Sequence, residues 1–161
     1  MAIERGKGWQ LAGALMALLL LVTACGGRKA VRPSLNVKPV PGPVLVRTAH
    51  SQMGAPYRYG GRDPKGFDCS GLVWWCYSQH GSTLPHSAQQ QFKLGDEVSR
   101  HDLQPGDLLF FDIGGKKPSH VAIFAGNGRF IHAPSTGGRV REDELTNNYW
   151  KRVFYGARRI E

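Results

Sequence analysis

The stretch Asp68-Cys69-Ser70-Gly71 places a cysteine directly after a helix-capping residue and at the head of an apolar run. Aspartate is a preferred N-cap, so the stretch predicts a helix from about Cys69 to Gln79, ended by Gly81. At a helix N-terminus, free backbone N–H groups and the helix dipole favour a thiolate. The stretch therefore predicts a reactive thiol of lowered pKa on a rigid element.

Two histidines downstream stand in strand-like contexts, Ser119-His120-Val121-Ala122 and Phe130-Ile131-His132-Ala133. A thiol nucleophile and its base are often distant in sequence and adjacent in space. We expect Cys69 to be the nucleophile, His120 its base, and His132 the residue that orients His120. A Cys-His-His zinc site is chemically possible, but no second cysteine stands at metal-ligand spacing, so we expect neither a metal nor another cofactor.

The histidines can share a site only if their two strands pair in one particular register. A two-residue Asn127-Gly128 loop would set His132 opposite Ile123, with His120 on the other face of the sheet. A three-residue loop sets His132 opposite Ala122 and leaves both histidines on one face, as diagonal neighbours. We therefore predict a three-residue loop from Gly126, with a type I turn and Gly128 in the left-handed conformation.

The order of elements predicts an α+β fold in which helices pack on an antiparallel sheet. Helical patterns come first, at Val44–Met53, after Asp68 and after Ser87. Strand patterns follow from Leu103 onward. The expected strands are Asp107–Asp112, His120–Ala125, Arg129–Ala133, Gly138–Arg141 and Val153–Arg159.

Cys69 and Cys76 are expected to be free thiols. They fall seven residues apart on one predicted helix, which separates them by ~10.5 Å along its axis. A disulfide requires Cα atoms within about 7 Å. We therefore expect Cys76 to be a buried core residue.

The N-terminus predicts an exported, lipid-anchored protein. Basic residues precede the apolar run Leu11–Val22, which is shorter than the roughly 20 residues that span a bilayer and is typical of a signal peptide, here residues 1–24. The segment Leu21-Val22-Thr23-Ala24-Cys25 is similar to a bacterial lipobox, which implies cleavage before Cys25 and lipidation of its thiol. Ordinary secretory cleavage and an uncleaved anchor are the alternatives. Gly26 after that cysteine suggests sorting to the outer membrane, facing the periplasm, if the source is Gram-negative.

Residues 25–43 are predicted to be a tether, and residues 44–161 the folded domain. The tether holds four basic residues, four prolines and no acid, a composition that cannot bury a core. Signal and tether carry just over half of the net charge of +9, so the domain is only mildly basic. Nucleic acid is therefore not indicated as a partner. The oligomeric state is not readable from the sequence.

The domain resembles the NlpC-type murein endopeptidases, papain-like cysteine peptidases that hydrolyse the stem peptides of peptidoglycan. The resemblance covers residues 50–161 and rests on five motifs. They are Gly54-Ala55-Pro56-Tyr57-Arg58-Tyr59-Gly60-Gly61, Asp68-Cys69-Ser70-Gly71, Leu103-Gln104-Pro105-Gly106-Asp107-Leu108-Leu109-Phe110-Phe111, His120-Val121-Ala122-Ile123 and Phe130-Ile131-His132-Ala133.

The resemblance implies roles by position. Cys69 matches the nucleophile, His120 the base and His132 the third polar residue. A further group matches residues near the oxyanion or lining the substrate subsite, namely Tyr57, Asp68 and Ser70. Each has a structural alternative: Tyr57 as a packing aromatic, Asp68 as an N-cap, and Ser70 as a first-turn helix residue.

The resemblance implies an endopeptidase with peptidoglycan stem peptides as its substrate. An N-acetylmuramoyl-L-alanine amidase and an inactive wall-binding module are the alternatives. Related enzymes cut either the γ-D-glutamyl–diaminopimelate bond or the diaminopimelate–D-alanine crosslink, and the motifs do not decide between them. His86 stands where related enzymes usually have an arginine, which bears on substrate preference or loop packing.

Overall fold

The computed structural model describes residues 35–115, 117–136 and 138–161. The expected signal peptide, Cys25 and most of the expected tether lie outside these residues. Within them, no helix is both long enough and apolar enough to cross a membrane.

The described chain forms four helices and eight strands, with most helices early and most strands late. The helices are α1 Gly42–His50, α2 Cys69–Ser78, α3 Ala88–Gln91 and α4 Asn148–Val153. The strands are β1 Arg62–Asp63, β2 Gly66–Phe67, β3 Asp96–Val98, β4 Leu108–Phe111, β5 His120–Gly126, β6 Arg129–His132, β7 Arg141–Glu144 and β8 Phe154–Arg159. Strands β3-β8-β4-β5-β6-β7 make one antiparallel sheet in that order, and β1 pairs with β2. The predicted α+β class is confirmed.

Two cores lie on the two faces of the large sheet. Side chains of α1 and α2 pack on one face, against residues such as Val121 and Ile123 of β5. Trp150 of α4 packs on the other face, with Ala122 and Phe130. The alternation of side chains along β5 puts His120 on the same face as Ala122, whereas α2 packs on the opposite face.

The predicted pairing of the two histidine strands is confirmed, but the predicted turn is wrong. Ile123 pairs with Ile131, a register that continues to Ala122 opposite His132. The turn is the two-residue Asn127-Gly128, whose φ angles of 52° and 72° are both positive, as a type I′ turn requires. A bulge between Phe124 and Gly126 supplies the extra residue that restores the register.

The strand expected at Gly138–Arg141 lies three residues later, at Arg141–Glu144. Gly138 has a φ of 62°, which is incompatible with a strand, and Arg139 makes only an isolated bridge to Pro56. The strand that forms instead is charged throughout. It is the edge strand of the sheet, where charged side chains remain in water.

The folded domain begins earlier than the expected boundary at residue 44. The N–H of Thr83 donates to the carbonyl of Asn36, and the N–H of Lys38 donates to Ser82 Oγ. Val40 is 8% exposed and belongs to the core. Residues 36–43, assigned to the tether from their prolines, therefore pack on the domain.

Candidate active site

Asp68 fixes the start of helix α2 and the loop in front of it. Its Oδ1 accepts from the N–H of Gly71 at 2.7 Å, which is the predicted N-cap, and its Oδ2 accepts from the N–H of Gly60 at 2.8 Å. A Cβ on Gly71 would lie 1.9 Å from the carbonyl oxygen of Gly61. The helix therefore begins in close contact with the glycine loop, and this contact holds Cys69 in place.

The Cys69 thiol lies at the end of the sheet, beside the first residues of β5. It interacts with the backbone N–H of Val121, the residue that follows His120, and with its own N–H and that of Ser70. Burial raises the pKa of Cys69 to about 11, against the lowering effect of these N–H groups. The expectation of a lowered thiol pKa is therefore wrong, because desolvation outweighs the helix N-terminus.

The two histidines form a buried, hydrogen-bonded pair. His120 Nε2 lies 2.8 Å from His132 Nδ1, and the residues are 6% and 0% exposed. This contact leaves Nδ1 of His120 as the nitrogen available to the thiol. Burial, together with the neighbouring His132, lowers the pKa of His120 to about 3. At rest, Cys69 is therefore a neutral thiol and His120 a neutral imidazole.

Three residues that the sequence analysis did not single out complete the surroundings of the histidines. Asp143 Oδ2 lies 3.0 Å from His132 Nε2 and accepts from Trp150 Nε1 at 3.1 Å. Arg141 donates to both oxygens of Asp143, at 3.0 and 3.2 Å. The Trp150 ring stacks on the His120 ring with centroids 5.8 Å apart.

The Asp143 carboxylate is ionised. Burial alone would raise its pKa, but hydrogen bonds from His132 and Arg141 outweigh this and hold the pKa of Asp143 well below its usual range. Burial lowers the pKa of His132, and the Asp143 carboxylate opposes that shift.

Tyr57 lies close to the nucleophile, as its assigned role requires. Burial raises the pKa of Tyr57, and the neighbouring Cys69 and Asp68 raise it further. Ser70 is buried, with Oγ 3.0 Å from both Asp68 Oδ1 and the His86 carbonyl. These contacts give Ser70 a structural part in holding the residue 86 loop against the helix.

His86, at the position where an arginine is usual, belongs to a stacked cluster beside this loop. Its ring stacks on Trp74 with centroids 4.9 Å apart, and the Arg62 guanidinium lies 5.1 Å above the Trp74 ring. Arg62 Nη1 is 2.9 Å from His86 Nε2. A guanidinium is thus present beside residue 86, but it belongs to Arg62 of β1.

Two depressions lie near the candidate site, one beside His120 and one at the start of α2. The larger, of about 820 Å³, runs from His120 past Trp150 and Asp143 to the segment 134–136. The smaller, of about 220 Å³, lies between Gly60, Asp68 and His86. The first is thus lined by the proposed base, and the second by Asp68 and Gly71, which stand close to Cys69 in the chain.

Among the described residues, no three His, Cys, Asp or Glu side chains are grouped as a metal site requires. Cys69 and Cys76 are free thiols, and Cys76 lies in the core as predicted.

Known proteins resemble this chain over its folded domain. A family model described as the NlpC/P60 family matches residues 54–159. The murein DD-endopeptidase MepH of Escherichia coli is 41% identical over 122 residues, which are 73% of this chain and 45% of MepH. The probable endopeptidase NlpC of the same organism is 36% identical over 152 residues, which are 91% of this chain and 97% of NlpC.

Solved structures agree with these sequence matches. An NlpC/P60 family protein from Bacillus cereus aligns with a TM-score of 0.71 at 34% identity, over 77% of this chain and 41% of that protein. The chain therefore spans less than half of MepH and of the B. cereus protein, but nearly all of NlpC.

Proposed function

The chain belongs to the NlpC/P60 family, and we propose that it is a cysteine peptidase that hydrolyses stem peptides of peptidoglycan. One observation carries this proposal. The Cys69 thiol meets the backbone N–H next to His120, and His120 is paired with His132 at 2.8 Å. A thiol, a base and a residue that orients the base are the groups that acyl transfer requires.

The first half of the reaction forms a thioester. His120 Nδ1 takes the proton from Cys69 as the sulfur attacks the peptide carbonyl carbon, because at rest the higher pKa keeps this proton on sulfur. The carbonyl oxygen becomes an oxyanion within reach of the backbone N–H groups at the start of α2. The tetrahedral intermediate collapses when His120 gives its proton to the leaving amine, which breaks the C–N bond.

The second half restores the enzyme. His120 removes a proton from water, the hydroxide attacks the thioester carbon, and the sulfur leaves and regains its proton from His120. The net reaction adds one water across one peptide bond. One depression is lined by His120 and the other by Asp68 and Gly71, so a peptide that lies across both would present a bond within it to the proposed catalytic residues.

The first prediction concerns the nucleophile. Cys69→Ala and Cys69→Ser should lower muropeptide hydrolysis by at least about 10³-fold, because neither side chain forms a thioester at this site. Cys76→Ser is the matched control and should retain hydrolysis, provided that it folds. Circular dichroism should show that the Cys69 variants are folded. Residual activity in Cys69→Ala above one tenth of the wild-type value would remove this thiol from the mechanism.

We also propose that the protein is a lipoprotein of the bacterial envelope, attached to the outer membrane through Cys25 and facing the periplasm. Its support is the lipobox-like segment ending at Cys25, with Gly26 after it. A diacylated thiol plus a further acyl chain gives stable anchoring.

The second prediction tests this anchor. In a Gram-negative host, the wild-type protein should incorporate radiolabelled palmitate and sediment with membranes. Cys25→Ser should do neither, whereas Cys76→Ser should do both. A Cys25→Ser protein that still sediments with membranes would favour an uncleaved signal anchor instead.

A further inference from the structure

A line of polar side chains crosses three neighbouring strands of the sheet, behind the nucleophile. His120 comes from β5, His132 from β6 and Asp143 from β7. His120 Nε2 is 2.8 Å from His132 Nδ1, and His132 Nε2 is 3.0 Å from Asp143 Oδ2. Each strand contributes one group, and the line ends at the edge of the sheet.

The Asp143 carboxylate, at the end of this line, determines which ring nitrogens of His132 and His120 carry a proton. An ionised carboxylate only accepts hydrogen bonds, so His132 Nε2 must carry a proton to bond Asp143. A neutral His132 then has a bare Nδ1, which accepts. His120 must therefore donate from Nε2, and its Nδ1 keeps the lone pair that can take the thiol proton.

Asp143 is itself held in one orientation. Arg141 donates to both carboxylate oxygens, and Trp150 Nε1 donates to Oδ2, the same oxygen that faces His132. Trp150 also stacks on His120. The carboxylate is thus fixed by the same tryptophan that fixes the base.

We propose that Asp143 is a positioning residue of the active site, which acts through His132 to keep His120 in the tautomer that can accept the Cys69 proton. Its negative charge also stabilises the imidazolium that forms on His120. The charged and titratable groups that act on the pKa of His120 are His132, Asp143 and Arg141. Arg141 opposes the effect, but its hydrogen bonds in this cluster are with Asp143, whereas Asp143 bonds His132 directly.

This inference rests on the proposed role of Cys69 as nucleophile, so its tests do not use peptidoglycan. The first test is the tautomeric state of the two rings in the ¹⁵N-histidine-labelled full chain in detergent, read by long-range ¹H–¹⁵N correlation at pH 7. Both rings should be neutral and protonated on Nε2. A proton on Nδ1 of either ring would overturn the proposal.

The second test is alkylation of Cys69 by iodoacetamide, followed by peptide mass spectrometry so that other thiols are counted separately. Asp143→Asn should lower the rate constant of Cys69 alkylation by about 10- to 100-fold and move its pH profile to higher pH. The reason is that the reactive ion pair, a Cys69 thiolate with a His120 imidazolium, forms less readily without the carboxylate. The Asp107→Asn control breaks another carboxylate–arginine pair, with Arg159, at the far end of β4. In the folded fraction of the Asp107→Asn protein, the pH profile of the Cys69 alkylation rate should be unchanged.

A merely structural role for Asp143 would give a different result. Fewer molecules would be labelled at completion, but the pH profile of the rate would stay in place, and this outcome would overturn the proposal. In a His132→Ala background, Asp143→Asn should cause little further loss, since Asp143 acts through His132. A full additional loss of 10-fold or more in that background would also contradict it.

Discussion

At the scale of single residues, burial governs the chemistry of this site. His120 and His132 lie among Phe111, Phe130 and Trp150, and the imidazole rings contact these aromatic rings. In such surroundings the neutral forms of thiol and imidazole are favoured. Cys69 is therefore a neutral thiol at rest, and in the proposed mechanism proton transfer to His120 accompanies attack on the substrate.

The third prediction follows from the lowered pKa of His120, from 6.5 to about 3. A His120 pKa that is lower in the folded than in the unfolded protein contributes to stability above pH 6.5. This contribution to the free energy of unfolding is lost as the pH falls toward 3. Each pH unit in that window should cost up to ~1.4 kcal/mol of unfolding free energy. In the His120→Gln variant, the free energy of unfolding should lose the part of its pH dependence that is due to His120 and keep the part that is due to His132.

Urea denaturation of both proteins between pH 6.5 and 4.5 measures the slopes. Equal slopes would mean that His120 does not resist protonation in the folded protein.

The sequence identifies the groups proposed to react but not the groups that hold them. Cys69, His120 and His132 stand in recognisable contexts. Asp143 stands among charged residues of an edge strand, where an acid is expected to be solvated. Its place beside His132 depends on the register of β6 with β7, where His132 pairs with Arg141. The sequence did not predict that register, since the strand was expected three residues earlier, at Gly138–Arg141.

At the scale of elements, two local irregularities place the reacting groups. The bulge in β5 lets a two-residue turn coexist with histidines on one face. The contact of Gly71 with Gly61 sets the start of α2 against its loop. Alternation, with the requirement that both histidines share one face, predicted the register, but the sequence does not show whether the extra residue lies in the turn or in the strand.

The fourth prediction concerns the contact at Gly71. Alanine is favoured over glycine in a helix by about 1 kcal/mol, but here its Cβ would lie 1.9 Å from a carbonyl oxygen. Gly71→Ala should therefore lower stability by about 1–3 kcal/mol and reduce the alkylation rate of Cys69.

Gly114→Ala serves as the control, because its Cβ would meet only Ser119 Oγ, at 4.0 Å. Thermal unfolding compares the two variants with the wild type. A Gly71→Ala protein as stable as the wild type would show that the contact is not tight.

At the scale of the whole molecule, the domain takes up more of the chain than composition suggests. Prolines and basic residues before position 44 predicted a tether, yet residues 36–43 pack on the domain. Composition shows that a segment cannot form a core alone, but not whether it packs on one. The expected tether then shrinks to residues 26–35, ten residues that span at most ~31 Å if extended. If Cys25 is lipidated as proposed, this would bring the peptidase closer to the membrane.

The most direct test of the central claim is mass spectrometry of purified peptidoglycan digested by the full chain, beside the Cys69→Ala variant. We predict fragments cut inside the stem peptide, each with one new carboxylate and one new amine, that the variant does not produce. The masses would also identify the bond. Release of intact stem peptides from muramic acid would show an amidase. No difference between wild type and variant would contradict a peptidase that depends on Cys69.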